Sequence, residues 1–403
     1  MTLSKSSILS QKYSRETLIQ ARAALDTLVP SCGMPIYTSI DLRDSGDRIV
    51  AVDVNLFPAG FNNLNAEALR KASEEMKTFL KKKMKSAGPW KLGLLPESHT
   101  NNEGYLKNIL ALKQVIQNAG AELKVAWTGL PIPKPWELKV GEDKLLYSPI
   151  QEVTAWADAL VLNHDLSGGP LDPVTNFTKS VFPSPDLGWY KRKKSEHFEI
   201  ATKILNLVST KVAIDPNDFL AESLTVGDLN FSAKEDVQRL IDEAAQFFEK
   251  LKKRSDKPFV YIKNDSGTYG LGIWNFASLE ELKGAAKHLQ KKFQRAKQGT
   301  YVKQVILQEG IRTRFAETGP EAVVLEPVVY SVNGQRVGGF LRCAFAENDD
   351  KGTELNLNRP NAWFEDETRI SAELAEVRDL YCFVTQLHSV AAAIEDCPCE
   401  ANF

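Results

Sequence analysis

Cysteine is scarce in this chain. Cys32, Cys343, Cys382, Cys397 and Cys399 are all there are in 403 residues. So few and so scattered, they exclude a disulfide-stapled secreted domain and suit a reducing cytoplasm. Cys397-Pro398-Cys399 lacks the second pair that a metal knuckle needs and reads as a frayed tail. Charge of one sign is lacking too. A formal net charge of −2 leaves no electrostatic footprint for nucleic acid or an anionic membrane. There is no run of about 18 apolar residues, so no membrane span is expected. The opening MTLSKSSILSQKYSRETL has no apolar core of a signal peptide. The five histidines, His99, His164, His197, His288 and His388, show no ligand spacing, which argues against zinc. What remains is a chain long enough for two or three domains, expected to meet small molecules.

Its organisation alternates. A helix is expected from Arg15 to Leu28. Two extended runs follow, 36–43 and 48–57, joined by the turn cluster Asp44-Ser45-Gly46-Asp47. A long amphipathic helix covers Ala66 to Ser86, its last turn basic with Lys81, Lys82 and Lys83 as the helix dipole favours. Strands at 91–95, 122–127 and 157–163 then alternate with helices, and this predicts a largely parallel sheet in an α/β layer. Residues 167–185, rich in Gly, Pro, Asp and Ser, read as a long loop. A second unit starts near Phe231, with capping boxes at Ser232–Glu235 and Ser278–Glu281. The pair 321–332 and 335–345 flanks Asn333-Gly334, a strong hairpin signal. The expected division is an N-terminal α/β domain at 1–230, binding the amino-acid substrate, and a nucleotide- and metal-binding α+β region at 231–403.

The most informative segment is KPFVYIKNDSGTYGLGIW, 257–274. It reads as an apolar strand carrying Lys263, then a loop with Ser266, Gly267, Gly270 and Gly272. Glycines let backbone approach a ligand closely, and a lysine beside such a loop suits phosphate oxygens. The lysine precedes the glycines, so this is no Walker A loop. The glycine order also excludes a Rossmann fingerprint. Strand lysine, flexible flap, helix, strand and long antiparallel pair together resemble the ATP-grasp layout, with nucleotide held between two α+β halves. Gln308 and Glu309, after an apolar run, fall where such folds bind adenine and ribose.

Other candidates follow from residue type and spacing. Glu326, a candidate metal ligand, lies on the first hairpin strand. Glu354, Asn356 and Asn358 in GTELNLNRP share one face of an extended segment and can converge on one cation. Arg342 on the second hairpin strand is placed to brace a transferring phosphoryl group. In the N-terminal strands one face carries Tyr37, Ser39, Asp41 and Arg43, then Asp53 and Asn55, ahead of Asn62 and Asn63. Such a face is either solvated surface or a pocket for a zwitterion, an arginine on its carboxylate and an aspartate on its ammonium.

Taken together, IYTSIDLRDSGDRIVAVDVNLFPAGFNNL (36–64), PESHTNNEGY (96–105), LNHDLSGG (162–169), GWYKRKKSEHF (188–198), KNDSGTYGLGIW (263–274), LQEGI (307–311) and the LEPVVY…GGFLR…LNLNRPNAWF series (325–364) resemble the compact glutamate–cysteine ligases of proteobacteria. The resemblance spans most of the chain. It implies joining of cysteine's amine to the γ-carboxylate of glutamate through γ-glutamyl phosphate, with ATP and magnesium (manganese as the alternative ion). It implies phosphate contacts at Lys263 and the 266–272 flap, metal at Glu354, Asn356 and Asn358, and charge stabilisation by Arg342. The resemblance does not assign the glutamate site; our own reading of the polar face gives it to Asp41, Arg43, Asp53, Asn55, Asn62 and Asn63. One departure stands out. The family's late motif reads nearer E-N-L-N-A-P-G, whereas here the acidic residue is displaced by one place or replaced by Leu355, and Asn361 follows the proline where the glycine would stand. The competing readings are a ligase for other amino acids and an inactive nucleotide-binding relative.

Overall fold

The computed structural model describes residues 2–3, 7–98, 102–129, 136–266, 272–293, 301–318, 321–345, 363–367 and 371–397. The hairpin forms as its turn residues demand. Asn333 and Gly334 take φ of 53° and 74°, left-handed conformations that Asn and Gly tolerate. They join Glu321–Val332 to Gln335–Phe345, the centre of a seven-stranded sheet. Tyr37–Asp44 pairs antiparallel with Glu321–Val332 on one side and with Ile49–Asn55 on the other. Trp363–Asp366 extends the far edge. The expected boundary at 230 therefore does not separate two self-contained sheets, because strands from both parts of the chain share this one.

Alternation along these strands sorts the two faces. Ile40, Leu42, Ile49, Ala51 and Val54 pack against helices Arg15–Asp26, Lys194–Ser209 and Ser371–Asp396. On the other face Tyr37, Val328, Tyr330 and Phe340 meet Ala68, Ala72, Met76 and Phe79 of helix Ala66–Met84. Each large side chain so buried contributes about 1.5–3 kcal/mol. Asn65 caps that helix by accepting from Ala68 N, and Lys85 closes it in the left-handed region.

The expected parallel sheet is present. Ser180–Phe182, Ala159–Asn163, Trp90–Pro96, Ala121–Trp127 and Ser148–Pro149 form it in that order, every pair parallel. Its edge strand and the short helix Asp172–Thr175 lie inside the stretch expected to be loop. A third sheet, Ser223–Val226, Val305–Glu309, Val260–Asn264 and Ile273–Phe276, is antiparallel. Helices Lys234–Leu251, Leu279–Gly284 and Ala286–Phe293 cover it. Ser278 caps its helix as expected, accepting from Glu281 N, whereas Ser232 does not, the N-cap position falling to Ala233. Cys397, expected in a frayed tail, is bonded to Cys32. Among the described residues no helix is long and apolar enough to cross a membrane.

Candidate active site

The seven-stranded sheet, the third sheet and the segments that follow strands Trp90–Pro96 and Ala159–Asn163 line a cavity of about 450 Å³, within the range of small-molecule sites. The seven-stranded sheet is its floor, and strand register arranges the floor in rows. Glu326 stands opposite Arg342, which stands opposite Phe364. In the next row Asp53, Asp41, Val328 and Phe340 follow one another across four strands. Asn55, Ser39 and Tyr330 make the third. The floor thus grades from strongly charged to neutral.

The charged end is a chain of ion pairs. Arg43 Nη2 lies 2.6 Å from Glu326 Oε2, and Arg342 Nη1 lies 2.6 Å from Glu326 Oε1. Arg342 Nη2 donates to Asp41 Oδ2 at 3.2 Å. Arg43 and Glu326 are buried, so their mutual pairing offsets a large desolvation cost. Lys194 pairs with Asp53 and lies over the Trp189 ring at 4.5 Å. From the third sheet Lys263 reaches in. Its Nζ donates to Val52 O at 3.0 Å and to Gln308 Oε1 at 2.7 Å.

These neighbours perturb titration. Burial pushes the Lys263 ammonium down to about 8; Asp53 opposes this, while Lys194 and Arg43 reinforce it. Burial likewise raises Asp41 to about 6, against Arg342 and with help from Glu326 and Asp53. Burial would raise Asp53 as well, but Lys194, Lys263 and Arg192 outweigh it and hold this carboxyl below its usual range. For Arg342 burial is overcome by Glu326 and Asp41, and its guanidinium is raised.

Segment 188–198 fastens this wall to the rest. Arg192 Nε and Nη1 donate to Glu395 Oε2 and Val54 O, both at 2.6 Å, and its own carbonyl accepts from Ser266 Oγ at 3.1 Å. Lys194 N donates to Asp265 O at 2.9 Å, and Ser195 Oγ to Asp265 Oδ2 at 2.6 Å. Gly272 completes the flap's exit with φ +70°, and a Cβ there would meet Asn264 Cβ at 3.0 Å, so that glycine serves both a turn and a close approach.

Of the residues expected from sequence, Asp41, Arg43, Asp53, Asn55, Asn62, Asn63, Lys263, Glu326 and Arg342 all line the cavity. Gln308 sits beside Lys263 as its acceptor. Glu309 does not join them. Its carboxylate is taken by Arg48 at 2.7 and 3.0 Å and by Glu222 N at 3.0 Å. Glu326, expected at a metal, stands between two guanidiniums. Gly267, Gly270, Glu354, Asn356 and Asn358 lie outside the described residues. Sequence reasoning missed Lys194, Trp189 and Tyr261, which also line the cavity, together with Asp165 at the carboxyl end of a strand. Lys194 did carry a signal: it is a cation in the first turn of a helix, where the dipole disfavours one.

The family model for glutamate-cysteine ligase matches residues 21–395. The crystal structure of a protein from Methylobacillus flagellatus KT, provisionally named gamma-glutamylcysteine synthetase, is 27% identical. The match covers 98% of this chain and 97% of that one at a TM-score of 0.77. D-alanyl-alanine synthetase A from Vibrio cholerae O1 biovar eltor is 12% identical over 73% of this chain and 82% of its own, with a TM-score of 0.33; at that score the two folds are not shown to be the same. No curated protein matches. A mixed α/β chain matched almost end to end by the family model, and over nearly all of its length by that structure, belongs to the glutamate-cysteine ligase family, whose reaction is the joining of glutamate to cysteine in glutathione synthesis.

Proposed function

We propose that the cavity performs this ligation in an ATP-grasp manner, the 223–309 sheet closing on ATP while the seven-stranded floor holds the amino acids. The observation that carries the reading is Lys263, a buried ammonium aimed at the cavity. No carboxylate touches it among the described residues, and only two of its three N–H bonds are used. Gln308 Nε2 beside it is buried with no partner among the described residues. Two unspent donors at one wall fit an acceptor-rich polyphosphate, since leaving them unmet costs about 1–3 kcal/mol each.

The division of labour follows. Lys263, with Ser266, Gly267, Gly270 and Gly272, holds the phosphates, and Lys194 adds a second cation beside them. Arg342 faces the γ-carboxylate of glutamate and stabilises the charge that gathers as γ-glutamyl phosphate forms and as the amine attacks it. Asn55, Asn62 and Asn63 take glutamate's polar end at the neutral row. Arg43 acts through Glu326, which spaces the two guanidiniums.

The cation is magnesium, with manganese able to replace it, and when bound it neutralises the phosphates. Among the described residues no three His, Cys, Asp or Glu side chains converge to hold a metal ion. Glu326 is already engaged twice. Glu354, Asn356 and Asn358, which share one face of an extended segment in the sequence, are the oxygens assigned to it.

The test is phosphate release from ATP with glutamate and a panel of amines. Release that requires glutamate and is fastest with cysteine is expected. Equal turnover with an unrelated carboxylate would refute the substrate assignment.

A further inference from the structure

Ligation needs a neutral amine, yet at neutral pH the amine of an amino acid is an ammonium with no lone pair to offer. Some group in the cavity must take its proton. Among the described residues four carboxylates line the cavity: Asp41, Asp53, Asp165 and Glu326. Glu326 is spent on Arg43 and Arg342. Asp53 is bound to Lys194, and its carboxyl is held below its usual range, which makes it a poorer acceptor. Asp165 braces its own loop by accepting from Ser167 N at 2.9 Å. Asp41 differs from all three. One oxygen accepts from Arg342 at 3.2 Å, and the other takes no hydrogen bond among the described residues. Its side chain keeps 14% of its surface open, on the cavity side.

Its place on the floor matters as much. Asp41 stands in the middle row, between the Glu326–Arg342 row where the phosphoryl group is handled and the neutral row of Asn55, Ser39 and Tyr330. Asp41 lines the cavity and accepts from Arg342 itself, so an amine reaching a γ-carbonyl beside Arg342 comes within range of its carboxylate. Building on the ligase reading, we propose that Asp41 is the base that takes the proton from the ammonium of the amine substrate.

The step balances without any further reactant. One N–H proton passes to the carboxylate of Asp41. The freed lone pair forms the C–N bond at the γ-carbon of γ-glutamyl phosphate. The C–O bond to phosphate breaks, and phosphate departs with the electron pair. The nitrogen's second proton goes to that phosphate, and Asp41 returns its own to solvent when product leaves.

The surroundings suit the task. Facing Asp41 are Arg43 on its own strand, Asp53 on the next, Glu326 and Tyr330 on Glu321–Val332, Arg342 on Gln335–Phe345, and Lys194 and Lys263 from the walls. Burial dominates, and the carboxyl rises to about 6. It is a better acceptor than an ordinary aspartate and still ionised at neutral pH. Asp41 and Asp53 are cross-strand partners pushed in opposite directions, a pattern that separates an acid–base group from a fixed charge.

The experiment compares 2-aminobutyrate, an ammonium at working pH, with methoxyamine, which is already neutral there, each with glutamate, ATP and magnesium. In Asp41→Asn the ratio of the 2-aminobutyrate rate to the methoxyamine rate should fall by about 100-fold. Loss of both reactions together would mean that Asp41 only holds Arg342, and retention of both would mean that it takes no proton; either overturns the proposal. Should the variant fail to fold, the wild type decides. Its rate with 2-aminobutyrate should fall away below about pH 6 while the methoxyamine rate stays level, and coincident profiles overturn the assignment. Absence of glutamate-dependent phosphate release with either amine would overturn the ligase reading and this assignment with it. A missing base is distinguishable from that outcome because it spares methoxyamine.

Discussion

Lys263 is costly to fold, and the cost should be visible as a pH slope. Its ammonium is pushed from 10.5 to about 8 in the folded chain, chiefly by burial. Between those values the unfolded chain carries a proton on this lysine that the folded chain has released. The unfolded state binds more protons, so stability rises with pH across that window. Below about 8 the folded protein carries the full penalty, and above 10.5 the penalty is gone. One pKa unit corresponds to about 1.4 kcal/mol, so the penalty is about 3 kcal/mol near pH 8 and falls to about 1 kcal/mol near pH 10. Lys263→Met removes the ionisable group. It also removes the hydrogen bonds to Val52 O and Gln308 Oε1, worth roughly 1.5–3 kcal/mol each when the donor is charged. These terms nearly cancel at neutral pH, so the absolute stability of the variant decides nothing. The slope does. Urea unfolding of both proteins between about pH 7 and pH 10 should show the wild type gaining about 2 kcal/mol relative to Lys263→Met. Parallel curves, with a difference constant within about 0.5 kcal/mol, would refute the claim that this ammonium is buried without a carboxylate contact.

The same lysine ties stability to function: ATP binding should restore its charge, and calorimetry near pH 8 in buffers of different ionisation enthalpy should detect proton uptake. Lys263→Ala should cut turnover by well over tenfold through loss of a phosphate contact, as read by coupled ADP release. Glu326→Gln should destabilise by about 3 kcal/mol, because it leaves Arg43 and Arg342 facing each other; chemical denaturation checks it. Lys194→Ala should let the Asp53 carboxyl rise. Asp53's wild-type contribution is present above its ordinary value of 3.8 and fades as pH falls, so the stability gap between the two proteins should narrow in acid. Glu309→Gln should loosen the Arg48 contact and lower the melting temperature while changing KM for ATP by less than about twofold.

Much of this could be read from residue order, for identifiable reasons. Strand periodicity placed Ser39, Asp41, Arg43, Asp53 and Asn55 on one polar face, and in the structure that face is the cavity floor. Alternation shows which residues share a face but not what covers it, so a solvated surface fits the same pattern. The cover comes from Lys263 and Tyr261, more than two hundred positions later, and from Trp189 and Lys194. The Asn333-Gly334 hairpin was legible because turn chemistry is local. Pairing of Tyr37–Asp44 with Glu321–Val332 was not, since nothing in either strand names its partner, and that pairing is why a boundary at 230 fails to part the sheets.

Glu309 and Lys194 err in opposite directions for the same reason. Gln308 and Glu309 are neighbours on one strand, so their side chains point to opposite faces. A motif that lists them together therefore had to overstate one. Gln308 turns to Lys263, and Glu309 turns away to Arg48. Lys194 is the last of four consecutive cations, 191–194. Yet Asp265 binds Lys194 N through its carbonyl and Ser195 N through Oδ1, so the helix start is fixed by a residue of the lid strand's exit and not by a local cap. A buried lysine at a helix N-terminus is tolerable only where an anion compensates it. Asp53 supplies that anion here, and the pair sets a second cation near Lys263 in the cavity lining, where the two add positive charge to the space proposed for the triphosphate.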